Sequence, residues 1–181
     1  MIPRLQEKYQ TEVLPELQKK FGIGNVMASP RLQKIVINMG IGEAIHDIKL
    51  LEKAMAELTA ITGQKPVMRR ARIAISNFKL RQGMPVGCKV TLRRAKMYEF
   101  LDRFINVCLP RIRDFNGVSR KSFDRFGNYS LGISDQAIFP EVDSGNISRT
   151  QGMDITFVFN NKPKEQTMEL LSLLGMPFRK A

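Results

Sequence analysis

Residues that carry metal ions, disulfides or catalytic protons are scarce in this chain of 181 residues. It contains one histidine, His46, and two cysteines, Cys88 and Cys108, and it lacks tryptophan. Zinc sites and disulfide frameworks need clustered Cys or His ligands, whereas these two cysteines are far apart in the sequence. We therefore predict that both thiols fill the protein core and that the protein binds no metal ion.

Motifs of cofactor-binding and catalytic sites are also missing. Gly40 and Gly42 resemble the start of a dinucleotide fingerprint, but Ile45 stands where the third glycine is required. The sequence has no phosphate-loop lysine motif, no zinc-protease motif and no nucleophilic serine motif of the hydrolase type. We expect no catalytic residue and no cofactor, and hence no enzymatic activity.

Long apolar runs are absent as well. No run approaches the about 20 residues that cross a bilayer, and the N-terminus lacks the basic-then-apolar order of a signal peptide. The length fits a single domain of residues 1–181, and the hydrophobic (43%) and charged (25%) fractions are those of globular proteins. We expect a cytoplasmic protein with no membrane partner.

Acidic residues are missing from the whole of residues 58–98. This acid-free stretch carries a net charge of +10, whereas residues 1–57 and 99–181 each carry only +1 of the formal +12. A surface that is merely soluble mixes both signs. Phosphates neutralise such a cluster and release counterions when they bind, so the charge favours a polyanion partner over a solvated basic face. The cations of the stretch are Lys65, Arg69, Arg70, Arg72, Lys79, Arg81, Lys89, Arg93, Arg94 and Lys96.

Hydrophobic periodicity predicts four helices. Pro15 should kink or split the first helix, and Gly22 and Gly63 are suited to end the first and second. The predicted helices are 3–21, 43–62, 96–109 and 165–174. The apolar face predicted for the second helix consists of Ile48, Leu51, Met55, Leu58 and Thr62.

Alternation of apolar and polar residues predicts the strands. Residues 111–152 are otherwise irregular, with several glycines among short apolar runs. Residues 71–85 are too long for a tight hairpin and should form a protruding basic loop between the second and third strands. The predicted strands are 32–39, a second beginning near Gln64, 86–94, 129–133 and 153–159.

This order of elements predicts an α+β fold, in which a mainly antiparallel sheet has helices packed on one face and its other face open. Cations hold phosphates, whereas amides and hydroxyls can contact 2′-hydroxyls and base edges. The open face is therefore suited to RNA. Its predicted outward side chains are Lys34, Asn38, Lys89, Thr91 and Arg93.

Phe78 lies in the long loop, beside Asn77 and Lys79. An aromatic ring among amides and cations can stack on or clamp an exposed nucleotide. Alternatively, Phe78 folds back and anchors its own loop. The sequence leaves both interpretations open.

Several strings along the chain carry a resemblance to a known family. They are KIVINMGIGEA, TGQKP, ISNFKLRQGMPVG, VTLRR, LPRIRDFNG and NYSLGI followed by GMDI. In this order, from the N-terminal helix to the closing LLGMPFRK, the chain resembles the bacterial form of large-subunit ribosomal protein five, the family that binds 5S rRNA. The resemblance implies a structural constituent of the large ribosomal subunit.

The resemblance also implies sites and partners. Asn38, Gln64 and Thr91 match the family's hydrogen-bonding contacts to 5S rRNA. The family helps to attach 5S rRNA to the large subunit in the central protuberance, where 23S rRNA is a further partner. The long loop points toward the tRNA in the ribosomal P site. The region from LPRIRDFNG through FPEVD corresponds to the side that meets small-subunit protein thirteen in an inter-subunit bridge. The candidates for the tRNA contact are Arg72, Ser76, Asn77, Phe78, Lys79 and Arg81.

Two other classes of function have to be weighed against this one. A general polyanion-binding RNA chaperone, or an architectural nucleic-acid-binding protein, would bind with a steep salt dependence and no preference for one RNA. An enzyme acting on RNA would need a constellation of carboxylates or histidines, which the acid-free stretch lacks.

Overall fold

The computed structural model describes residues 2–45, 47–142, 149–160 and 162–179. Its strands are β1 (Leu32–Gly40), β2 (Val67–Arg70), β3 (Pro85–Leu92), β4 (Tyr129–Ile133) and β5 (Met153–Phe159). They form one five-stranded antiparallel sheet in the order β2-β3-β1-β5-β4. The predicted α+β class is confirmed.

The helices are α1 (Arg4–Lys8), α2 (Leu14–Phe21), α3 (Ile48–Thr62), α4 (Arg94–Arg103) and α5 (Lys164–Leu173). A π-helical turn, Tyr9–Val13, joins α1 to α2, and a second one, Phe104–Cys108, continues α4. Pro15 lies in the first turn of α2 and has no amide hydrogen to donate to the carbonyl of Thr11. The helix predicted over 3–21 thus runs from Arg4 to Phe21 with a change from α- to π-helical geometry just before Pro15, and Gly22 ends it in the left-handed conformation.

Burial alternates along the strands. The inward side chains are buried, among them Ile35, Ile37 and Met39 of β1 and Cys88 and Val90 of β3. The outward side chains between them are only half-buried. The sheet therefore has one covered face and one face that is accessible, as the alternation predicted.

The chain divides into two compact units. The first consists of residues 1–35, 92–131 and 156–181, and the second of residues 36–91 and 132–155. In the first unit, Arg4 of α1 pairs with Asp102 of α4 at 2.6 Å, and Lys20 of α2 pairs with Glu169 of α5 at 2.6 Å. In the second unit, α3 buries Leu51, Ala54, Leu58, Ile61 and Thr62. The single domain expected for residues 1–181 stays a prediction.

The helix predicted over 43–62 begins later than expected. The Asp47 carboxylate accepts a hydrogen bond from the Lys49 amide at 2.9 Å and caps α3, so a 3₁₀ turn, Gly42–Ile45, precedes the helix. The apolar face is also rotated from the prediction, because Ile48 is 50% exposed while Ala54 and Ile61 are buried. His46 lies outside the described residues.

Two strand boundaries were also predicted wrongly. β2 begins at Val67 and not near Gln64, because Pro66 has no amide hydrogen and the pairing with β3 starts at Val67. β3 ends at Leu92, because Arg94 has a left-handed backbone conformation (φ 53°) that no strand can continue. Arg93 is therefore the exposed N-cap residue of α4 and not a strand residue, and the helix begins at Arg94 and not at position 96.

Both cysteines are buried and free, which confirms their prediction as core residues. Burial raises the pKa of each thiol to about 11. No helix within the described residues is long and apolar enough to cross a membrane.

Candidate nucleic-acid interface

The second unit carries a row of polar side chains, Asn38, Gln64, Lys89 and Thr91, here called the polar strip. Asn38 lies on β1, and Lys89 and Thr91 lie on β3, the neighbouring strand; all three are half-buried outward positions. The Gln64 Nε2 donates a hydrogen bond to the Thr91 carbonyl oxygen at 3.3 Å. The structure therefore brings Gln64 against β3 although it does not belong to a strand.

The turn after α3 holds Gln64 in this place. Gly63 ends the helix in the left-handed conformation (φ 61°), with its amide donating to the Thr59 carbonyl at 2.8 Å. The Thr62 hydroxyl donates to the Leu58 carbonyl at 2.7 Å, which fixes the last turn of the helix. Alternation could not find Gln64, since it lies outside the strands, and only the family resemblance indicated it.

Cations surround the strip. Gln64 and Thr91 border a shallow concavity of about 290 Å³, and Val67 of β2 is paired with Lys89 of β3 across it. Lys65 and Arg69 line the same concavity. Sequence reasoning did not select these two among the cations of the acid-free stretch, because their place depends on the pairing of β2 with β3.

The polar groups of the strip have hydrogen-bonding capacity to spare. Among the described residues, nothing bonds to the side-chain amide of Asn38, the hydroxyl of Thr91 or the Oε1 of Gln64. Lys65, Arg69 and Lys89 likewise form no ion pair with a described residue. Because these side chains are half-buried or exposed, water can reach their polar groups in the free protein, and a ligand can replace that water.

The first unit holds the remaining two candidates for the sheet face. Lys34 is half-buried on the outward side of β1. Arg93 is exposed at the N-cap of α4, and its side chain caps no helix amide. Both are cations without an ion-pair partner among the described residues.

Residues 71–84 form a projecting hairpin, here called the arm. Its base is closed by the Ala71 amide donating to the Met84 carbonyl at 2.8 Å, and Ile75 and Leu80 exchange two backbone hydrogen bonds at 2.9 and 3.1 Å. The tip is a 3₁₀ turn, Ser76–Phe78, after which Lys79 is left-handed (φ 51°). The loop predicted from the sequence is thus present, but it is a hydrogen-bonded structure that the sequence did not reveal.

The side chains of the arm point into solvent. Phe78 is 72% exposed, so the interpretation in which it folds back to anchor its own loop is wrong. Ile73 is equally exposed, at 72%. The six tRNA candidates, all of them exposed, are Arg72, Ser76, Asn77, Phe78, Lys79 and Arg81.

No group of three or more His, Cys, Asp or Glu side chains in the described part of the chain could hold a metal ion. What the two regions offer is cations, amides, hydroxyls and one exposed aromatic ring. Such groups bind phosphates, base edges and base faces.

Comparison with known proteins gives matches over nearly the whole chain. Residues 25–81 match the family model described as "Ribosomal protein L5", and residues 85–178 match that described as "ribosomal L5P family C-terminus". The chain is 59% identical over 178 residues to the large ribosomal subunit protein uL5 of Clostridium kluyveri, with 98% of each chain covered. It is 57% identical to that of Clostridium acetobutylicum and 56% identical to that of Clostridium tetani, in both cases over 98% of this chain and 99% of the relative.

Proposed function

Because this chain belongs to the ribosomal protein L5 family, and is thus an rRNA-binding structural protein of the large ribosomal subunit and not an enzyme, we propose that its polar strip binds 5S rRNA. The observation that carries the proposal is the set of half-buried amide and hydroxyl groups without partners, placed among cations. A surface that only attracted phosphates would need the cations alone.

Each part of the strip has a distinct task in this binding. Asn38, Gln64 and Thr91 hydrogen-bond to base edges and 2′-hydroxyls, which positions one particular RNA. Lys89 contacts phosphates, together with Lys65 and Arg69, which line the same concavity. Lys34 and Arg93 supply further phosphate contacts from the first unit.

The arm contacts the tRNA in the ribosomal P site. Phe78 stacks on an exposed base or ribose, and Arg72, Lys79 and Arg81 contact phosphates, while Ser76 and Asn77 donate hydrogen bonds. The backbone hydrogen bonds of the arm support this role, because a preordered hairpin loses little conformational entropy when it binds.

Two further partners follow from the same family. Attachment of 5S rRNA in the central protuberance involves 23S rRNA. The segment from Leu109 to Asp143 meets small-subunit protein thirteen in an inter-subunit bridge; Asp143 itself lies outside the described residues.

Binding of the purified protein to 5S rRNA, and to an unrelated structured RNA of equal length at the same moderate salt concentration, tests the proposal. We expect clearly tighter binding to 5S rRNA. Equal affinities for the two RNAs would contradict it.

The second candidate is a general polyanion binder, acting as an RNA chaperone or an architectural protein, and the +10 charge of residues 58–98 favours it. The dependence of affinity on salt separates the two. A polyanion binder shows the same steep slope for every RNA, whereas specific contacts leave a part of the 5S affinity that salt does not remove.

A further inference from the structure

The first unit contains a short hairpin, residues 122–130, which lies within the segment proposed above to meet small-subunit protein thirteen and for which no contact has been assigned to individual residues. The Ser130 amide donates to the Ser122 carbonyl at 3.1 Å, and Phe123 pairs with Tyr129. Their rings lie 4.6 Å apart between centroids, and Tyr129 is fully buried, with its hydroxyl donating to the Ser119 carbonyl at 2.8 Å. One side of the hairpin is therefore anchored by an aromatic cluster.

The tip of this hairpin is rigid. The Asp124 carboxylate accepts hydrogen bonds from the amides of Phe126 and Asn128 and from the Asn128 side chain, each at 2.8 Å. Burial raises the pKa of Asp124, but these hydrogen bonds outweigh it and hold the pKa below its usual value. Asn128 in turn accepts a hydrogen bond from the Phe159 amide at 3.0 Å, and a Cβ at Gly127 would collide with the Lys162 carbonyl.

Phe126 lies on this tip beside Arg125. Its side chain is 45% exposed, and the Arg125 guanidinium carbon lies 4.7 Å from the centroid of its ring. A guanidinium that stacks on a ring keeps its N–H edges free to donate hydrogen bonds. The tip therefore presents an aromatic surface and a cation at one place.

The surrounding chain is cationic. Arg120 and Lys121 are exposed on the approach to the hairpin, and residues 111–128 contain five Lys or Arg against two Asp. One of those two carboxylates, Asp124, is occupied by its own turn. This net positive charge therefore favours a partner that carries phosphates over the surface of another protein.

We propose that the Arg125–Phe126 tip binds an unpaired base, with its phosphate, in an RNA of the large subunit other than 5S rRNA. Phe126 stacks on the base, and Arg125 donates to the phosphate or to a base edge. This inference rests on the proposed function, since the polar strip is then occupied by 5S rRNA and the tip serves a second RNA contact.

The test measures binding of the preformed complex of full-length protein and 5S rRNA to protein-free 23S rRNA. We expect Phe126→Ala and Phe126→Leu to weaken this binding about tenfold, as the loss of one stacking contact does. Phe126→Tyr should bind as the wild type, because it keeps the ring. Val107→Ala is the matched control, since Val107 is an apolar residue of the same unit that is 40% exposed. Thermal unfolding shows whether each variant is folded.

The outcomes separate this inference from the proposed function. If Phe126→Ala binds both 5S rRNA and 23S rRNA as the wild type does, the inference is overturned, but the proposed binding of 5S rRNA is not affected. If Phe126→Leu binds 23S rRNA as tightly as the wild type, stacking is overturned. If the wild-type complex does not bind 23S rRNA at all, the inference is overturned as well. If Phe126→Ala loses binding to small-subunit protein thirteen while its 23S binding is unchanged, the tip is a protein contact and the inference is overturned as well. A wild type without preference for 5S rRNA defeats the proposed function and this inference together.

Discussion

The polar strip and the arm come from the same acid-free stretch and the same unit, yet they are built in opposite ways. The strip consists of half-buried side chains on or against paired strands, and its amide and hydroxyl groups are held by backbone that cannot move without breaking the sheet. The arm consists of exposed side chains on a hairpin that touches little else.

The difference indicates that charge alone does not define a binding site. Both regions carry cations that have no ion-pair partner among the described residues, but the strip adds half-buried hydrogen-bonding groups held on or against paired strands, and their spacing favours one RNA over another. The arm offers reach and an exposed ring, which suit contact with a partner that arrives and leaves. Four experiments test this contrast, from the largest expected effect to the smallest.

A matched pair of glycines tests how rigid the two regions are. A Cβ at Gly87 in β3 would collide with the Met39 carbonyl of the neighbouring strand, whereas Gly83 in the arm has open space and only a positive φ of 87°. We expect Gly87→Ala to lower the free energy of unfolding by about 3 kcal/mol and Gly83→Ala by about 1 kcal/mol. Urea denaturation measures both. Equal losses would mean that the strip and the arm are equally constrained.

Loss of single polar groups tests specificity. Asn38→Ala and Thr91→Val, the latter keeping the branched shape, should each weaken 5S rRNA binding by about 1 kcal/mol, since each removes a hydrogen bond. Lys79→Ala and Arg81→Ala in the arm should leave 5S binding almost unchanged. Titration of 5S rRNA with each variant gives the dissociation constants. A loss for the arm variants as large as that for the strip variants would refute the division of the surface.

The exposed ring tests the arm. Phe78→Ala should leave the free energy of unfolding unchanged, because the ring is 72% exposed and contacts little of the protein. It should weaken the binding of tRNA in the P site by about 1 kcal/mol, because the stacking contact is lost. Ile73→Ala is the matched control, because Ile73 is as exposed but cannot stack. The rate of tRNA release from ribosomes that carry each variant reports the effect. Equal release rates for Phe78→Ala and the wild type would exclude stacking.

The effect that is smallest at neutral pH concerns the inward side of β3, where Cys88 lies beneath the strip; the arm contains no thiol. Burial raises the pKa of Cys88 and Cys108 to about 11, whereas a thiol in the unfolded chain has a pKa of about 8.5. As the pH rises, the thiols of the unfolded chain therefore lose their protons before those of the folded protein. The free energy of unfolding should fall as the pH rises from the pKa of the unfolded thiols to that of the folded ones. At neutral pH a thiol reagent should label the protein only in denaturant. Rapid labelling of the native protein would contradict the burial.

The sequence predicted most of the fold because periodicity records which side chains face the core. β5 was predicted at Met153–Phe159, its observed bounds, and Gly22 and Gly63 end helices as expected. The errors lie at the ends of elements. The capping of α3 by Asp47 and the left-handed conformation of Arg94 depend on single backbone angles and hydrogen bonds that periodicity does not encode.

The candidate site was only partly accessible in the same way. Alternation placed Asn38, Lys89 and Thr91 on the outward face, where the structure has them. It placed Arg93 there as well, wrongly, and it gave no reason to choose Lys65 and Arg69 over the other cations. Whether Phe78 was exposed could not be decided, because an aromatic residue in a loop has no periodic pattern.

By itself, the sequence determined that this protein has a half-exposed sheet and an acid-free stretch suited to RNA, since both are properties of residue order and type. Only the tertiary structure decided which parts of that stretch act together. It brought Gln64 to Thr91 across 27 positions of sequence and placed Phe78 in solvent. The pairing of β2 with β3 and the hydrogen bonds that close the arm produce these positions, and such long-range contacts are not contained in any local pattern.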